Sequence, residues 1–332
     1  MSRLRYIVNR FAVTVALLFL ILSFLFLFFR ALPGSYTNIL VAQGASPESV
    51  AALEQRWGLN EPIYIQYIRY IVNFVQLDIG TSFQNSQPVW EFVRPKLFNT
   101  FILVAPGITF AYVVGSIYGT YLGTTDNEVV EDLGPVPLIF FGSFPEFFIA
   151  IFLIFIFAGI FDIFPTSGIL TPSVRSAFVD APWWRPYLTL DFAAHYVLPF
   201  TAVVMRYLFF PTLIMRTNVA EVLDQDFTHY MRISGLSERT RFRHMLKHAS
   251  LPVITLYPVS MTRAIGGLVL IESVFNWPGI GAALVAAVLA RDFPVVQFVF
   301  FLVAAFVVIS NFLVDIVYGW VDPRVSVGGN EG

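Results

Sequence analysis

The sequence predicts an all-α polytopic membrane protein with six transmembrane helices, and three observations lead there. Hydrophobic residues make up 57% of the 332 and charged residues only 13%, whereas a soluble domain carries about 25% charged residues. Several apolar runs reach the roughly 20 residues that a helix needs to cross a bilayer. Proline and glycine recur inside these runs, at Pro106, Gly107, Gly115, Gly119, Pro258, Gly266 and Gly267, where membrane helices tolerate them and use small residues for close packing. The chain has no cysteine and a net charge of only −2, so disulfides and thiolate metal sites are excluded and no partner class is indicated by charge.

Six spans are expected, over 9–29, 99–123, 136–160, 194–215, 250–275 and 294–318. The first apolar run, Phe11 to Phe29, is longer than the h-region of a signal peptide and ends in "FFRALPGS" without a small-residue cleavage pattern, so it reads as a retained helix. Arg3, Arg5 and Arg10 precede it, and the loop between spans four and five carries Arg216, Arg232, Arg239, Arg241, Arg243 and Lys247. Basic residues collect on the cytoplasmic side of short loops, which places both termini in the cytoplasm. The resulting domains are a first helix over 1–30, an extracytoplasmic segment over 31–98, a five-helix core over 99–318 with a cytoplasmic loop at 216–249, and a tail over 319–332. The outer segment predicts two amphipathic helices. One has Ser46 as N-cap, Pro47 at its first position and Glu48 in its first turn; the other carries Ile63, Tyr67, Tyr70, Ile71 and Phe74 on one face.

Catalytic patterns do not appear: there is no phosphate-cradling glycine loop with its lysine, no nucleophile elbow and no paired-histidine zinc motif. His244 and His248 share a helical face, but no third ligand stands at a suitable spacing, so a solvated basic face accounts for them. No enzyme activity, cofactor, metal or nucleic-acid partner is expected. Polar residues at membrane depth carry more information, since a charge at the centre of a span costs about 2.5–3.5 kcal/mol. Glu146, Arg206 and Arg263 fall near the middle of spans three, four and five, and Glu272 lies toward the outer end of span five. They either line a polar path or form a structural pair of Glu146 with one of the arginines. Asp315 lies near the inner end of span six.

The stretch "SERTRFRHMLKHASLP" predicts a helix capped by Ser237, with Glu238 in its first turn, Phe242, Met245 and Leu246 on its apolar side, and Pro252 where the next span begins. Gly235 supplies a chain reversal just before it. A topology signal accounts for the basic charge of this loop, but not for the order of helix, glycine turn and amphipathic helix.

Here the residues resemble a known family. "EVLDQDFTHYMRISGLSERTRFRHMLKHASLPVIT" is similar to the coupling loop of membrane subunits of ABC importers, in the dipeptide/oligopeptide permease family. "FRALPGS", "WGLNEPIYIQYIRY", "LDIGTSF", "FPTSG", "HYVLPF", "ESVFNWPGIGAALVAAVLARDFPVVQ" and "NFLVDIVYGWVDPR" extend the resemblance over nearly the whole chain. The stretch "HYMRIS" departs from it by being bulkier than the family's small-residue run before the loop glycine. The resemblance implies a type I ABC importer permease fold in the cell membrane, working with a second homologous permease subunit, two ATPase subunits and an extracytoplasmic substrate-binding protein. It implies coupling to the ATPases through the 226–250 loop, by Asp226, Arg232, Gly235, Leu236, Glu238, Arg239, Phe242, Met245 and Pro252. Cargo in such a family ranges over peptides, nickel, oligosaccharides and glutathione. A stand-alone secondary transporter or channel is the alternative.

Overall fold

The computed structural model describes residues 3–31 and 60–321, with positions 48, 51, 54 and 55 between them. The helix expected from Ser46 lies outside the described residues apart from those few positions. The chain divides into two compact units, residues 1–97 with 283–332 and residues 98–282.

In the first unit, helix α1 (Arg3–Ala31) packs along the last helix of the chain (Phe293–Val321) and against α2 (Ile63–Val75). Arg10 and Asp315 form an ion pair at 3.1 Å, and Phe11 meets Phe312 edge to face. These contacts bring the N-terminal end of α1 beside the C-terminal end of the last helix. At the other end, Phe26 packs on Tyr67 and Tyr70, and Phe74 on Phe298 and Phe301. The second amphipathic helix forms as the spacing predicts, with one correction. Ile63 is 58% exposed, and the inward position is taken by Gln66, whose amide oxygen accepts from Arg30. An arginine at the end of a span needs an acceptor more than the unit needs one further apolar contact. The following loop is held by Asp292, fully buried, which accepts from the Ser82 hydroxyl, the Phe83 N–H (3.0 Å) and the Gln84 N–H (3.3 Å).

The long helix α3 (Val89–Thr124) contributes its later part to the second unit. There it meets α8 (Leu190–Leu223) along a line of glycines. A side chain at Gly107, Gly115, Gly119 or Gly123 would run into Val203, Pro211, the Thr212 carbonyl or Val219 respectively. This is the close backbone approach that small residues give membrane helices in place of a hydrophobic driving force. Between the two lie α4 (Glu128–Leu133), α5 (Val136–Ser143), α6 (Glu146–Leu153), which continues as a π-helical turn over Ile154–Ile160, and α7 (Pro172–Ser176).

The third span expected over 136–160 is not one helix. It breaks between Ser143 and Glu146, and its two halves meet at 102°. Pro145 is the cause: the residue before a proline is pushed out of the helical region, and Phe144 is extended at φ −82, ψ 149. Past α8 the chain forms α9 (Asp226–Ile233), α10 (Glu238–Ala249), α11 (Leu251–Val274) and the first turn of α12 (Ile280–Leu289). The last helix is α13 (Phe293–Val321). Four described helices are long and apolar enough to cross a membrane: Arg5–Ala31, Val89–Thr124, Leu190–Leu223 and Phe293–Leu313. The bent pair adds a fifth if it counts as one span.

Candidate functional site

Two groups of residues in the second unit stand out. The first is the polar loop that leaves α8 and returns into α11. At 34 residues α8 is about 50 Å long, well beyond the roughly 30 Å hydrocarbon core, so one end projects past the apolar layer and carries α9 and α10 with it. Thr228 caps the junction by donating to the Leu223 carbonyl at 2.7 Å. Gly235 turns the chain at φ +69, in the left-handed region that costs other residues about 1–2 kcal/mol. The Ser237 side chain accepts from the Thr240 N–H, capping α10 as its sequence predicts. On the return, Asn218 donates to the Ala249 carbonyl at 3.1 Å and fastens the end of α10 to α8.

The loop thus has an inner and an outer side. Met245 is only 2% exposed and Ala249 is buried with it, while Phe242 is half-buried. The expectation of Met245 as an outward apolar contact therefore meets an interior side chain, because the i, i+3, i+4 stripe of a short amphipathic helix first covers its own protein. The outward apolar residues are Tyr230 (67% exposed), Ile233 (68%) and Leu236. Asp226, Glu238 and Arg239 are exposed on the same loop, and Pro252 is exposed where α11 begins. Arg232 lies in α9, and its side chain is outside what the structure describes. A cleft of about 600 Å³ opens behind this tip, lined by Tyr121, Asp126, His229, Arg241 and Phe242 among others. Tyr230 and Ile233 are absent from the sequence expectation. In "HYMRIS" they read as bulk, and only their exposure gives them a meaning.

The second group is the set of polar residues expected at membrane depth. Glu146 occupies the first turn of α6, just past the break. Its carboxylate accepts from the Tyr207 hydroxyl at 3.1 Å and lies 3.7 Å from Arg206 Nε. Arg206 also donates to the Gly142 carbonyl at 3.4 Å. Of the two arginines, then, Arg206 takes the carboxylate, whereas Arg263 is exposed at the middle of α11. Glu146 reaches its position by lying over Gly267, where any side chain would overlap its carboxylate. Gly267→Ala is expected to push Glu146 off Tyr207 and lower transport by the assembled complex several-fold, yet to be nearly neutral in a Glu146→Ala background. A double-mutant cycle on uptake reads this directly.

Glu272 is fully buried near the end of α11. Its carboxylate accepts from the Thr100 hydroxyl at 2.6 Å and the Ala282 N–H at 2.9 Å. Thr100 in turn accepts from the Ile280 N–H at 2.9 Å. The first turn of α12 leaves its N–H groups without helical partners, and Glu272 with Thr100 supplies them. Beside them Trp277, also fully buried, donates to the Asn99 carbonyl at 3.0 Å, and Asn99 donates to the Pro278 carbonyl at 2.9 Å.

Residues 115–327 match the family described as "Binding-protein-dependent transport system inner membrane component", and residues 3–104 match its N-terminal counterpart. The chain belongs to this family. It is a multi-pass permease component of ABC importers, resident in the inner membrane, and its transport depends on a binding protein. An oligopeptide transport system permease protein of Bacillus subtilis, AppB, is 30% identical over 97% of this chain and 99% of its own. The dipeptide transport system permease DppB of Escherichia coli is 31% identical over 97% and 98%. The glutathione transport system permease GsiC of Salmonella paratyphi A is 28% identical over 97% and 99%. Within the permease, the stretch from Glu272 to Ala282 is the buried fastening just described. Sequence reasoning placed Glu272 in the bilayer but missed Thr100, Tyr207 and Asp292, because each finds its partner more than 60 residues away in the chain.

Proposed function

We propose that this permease forms half of a translocation pathway for peptides, paired with a second homologous permease subunit. Two ATPase subunits bind below it, and an extracytoplasmic binding protein delivers the cargo. ATP hydrolysis belongs to the ATPase subunits. The observation that carries the coupling role is the loop tip, where Tyr230, Ile233 and Leu236 stand exposed around the left-handed turn at Gly235. Exposed apolar side chains on an otherwise charged loop are the anchors a protein partner covers. Asp226, Arg232, Glu238 and Arg239 supply the charged rim, and Pro252 starts the helix that carries movement inward. Phe242 and Met245 act from behind, holding α10 on α8 so that a push on the tip is passed to both spans.

The peptide cargo is supported by full-length similarity to permeases named for oligopeptide, dipeptide and glutathione transport. Six crossings with both termini cytoplasmic are supported by the Arg10–Asp315 pair, which joins the two ends on one side, and by the basic loop. In this reading residues 1–30 form the first crossing, 31–98 the outer segment, 99–318 the core and 319–332 the cytoplasmic tail. The test is purification from the membrane. The permease is expected to bring down ATPase subunits and to move no peptide without them, and uptake by the permease alone in vesicles would establish a secondary transporter instead.

A further inference from the structure

We infer that Arg263 faces the translocation pathway and binds the terminal carboxylate of the passing peptide, an inference that rests on the peptide-import reading above. Arg263 stands halfway along α11, with Leu251 and Val274 at the two ends. On that helix Val259, Arg263, Gly266 and Leu270 are all exposed, at spacings of four, three and four, so these positions form one face left uncovered by the described residues. Such a face meets lipid, another subunit or water in a pathway. Lipid is the poorest choice, since an arginine at mid-span costs about 2.5–3.5 kcal/mol there.

Among the described residues no acidic side chain pairs with Arg263. The carboxylate at this depth, Glu146, is taken by Arg206 and Tyr207. Two arginines against one glutamate leave a local charge of +1 (2 − 1), and it resides on Arg263. Two hydroxyls of the same helix are already engaged, Ser260 with Tyr112 at 2.5 Å and Tyr257 with Thr109 at 2.7 Å.

Space and shape then select the ligand. A side chain at Gly266 would meet no atom within 4 Å, so the position beside the guanidinium is open. The guanidinium fork matches a carboxylate in a two-point hydrogen-bonded pair. Oligopeptides, dipeptides and glutathione share a free terminal carboxylate, the anionic one of their common backbone groups, so a cation that reads it serves cargo of varied side chains. An acidic residue of the second permease subunit is the competing partner. It would have to give up the hydration of both charges permanently, and a buried pair rarely recovers that cost.

The experiment uses the complete complex in proteoliposomes, with its binding protein and ATP, and compares uptake of trialanine and of trialanine C-terminal amide. The same binding protein serves every arm, so its own preference divides out of the ratios. Arg263→Gln is expected to lower trialanine moved per ATP about tenfold and to leave amide uptake as in the unmutated complex. Arg263→Lys, which keeps the charge but not the fork, is expected to retain a substantial part of trialanine uptake. If both probes fall together or neither changes, or if Lys behaves like Gln, the inference is overturned. Loss of the second permease subunit from purified Arg263→Gln complex overturns it too, in favour of an inter-subunit ion pair. An unmutated complex that hydrolyses ATP under binding-protein stimulation but moves neither probe refutes the peptide reading itself, a result distinct from all the others.

Discussion

Gly235→Pro is expected to abolish binding-protein stimulation of ATP hydrolysis while the membrane subunits still assemble. Gly235 sits at φ +69 with nothing within 4 Å of an added Cβ, so crowding plays no part and the backbone angle decides everything. Proline holds φ near −65° and also restricts the preceding Ser234, so the turn cannot form and α10 no longer leaves at its present angle. The effect can be graded. Asparagine tolerates the left-handed region and is expected to keep most of the stimulation. Alanine pays about 1–2 kcal/mol for it and is expected to fall between. Stimulated ATPase activity of the reconstituted complex, measured for Asn, Ala and Pro in parallel, should decline in that order. Full stimulation with proline would reduce the loop to a topology and lipid signal, and the mechanical reading would have to be given up.

Glu272→Ala is expected to cost the second unit more stability than any other single change at its polar sites. The carboxylate serves the Thr100 hydroxyl and the Ala282 N–H with no exposure to solvent. Removing it strands these donors, and each buried unsatisfied group costs about 1–3 kcal/mol. Glutamine keeps one acceptor oxygen and should lose less. Thr100→Val removes one donor and strands the Ile280 N–H, so it should lose least. Thermal unfolding of the purified complex should rank Ala below Gln, and Gln below Val. A residue that lines the pathway behaves the opposite way, with transport falling and unfolding temperature unchanged. If Glu272→Ala melts with the unmutated protein, the fastening is not structural and Glu272 returns to the pathway.

The two glutamates are alike in the sequence and different in the fold. Hydropathy alone puts both within apolar runs, and no periodicity distinguishes them. Glu272 is capped by a threonine far back in the chain and by the next helix's first N–H groups. Glu146 is aimed by a break at Pro145 and admitted by a glycine on another helix. A proline within an apolar run signals a kink or a break equally well, so the 102° bend was not legible in the run over 136–160. Ile63 and Met245 teach the same lesson in the apolar register. Spacing identifies a face, but not whether that face meets its own protein, a partner or the bilayer.

What the sequence alone determined is whatever depends on local composition and short spacing. This includes the membrane class, most of the helices, the Ser237 cap, the reversal at Gly235, and the ordered motifs that mark an importer permease. Those follow from hydropathy and backbone preference, which act within a few residues. The tertiary structure alone decided which arginine takes Glu146, that Glu272 is enclosed, and that Tyr230 and Ile233 rather than Met245 stand outward. Each of these is settled by groups distant in the chain competing for the same charge, hydrogen bond or volume, and that competition exists only once the helices are packed.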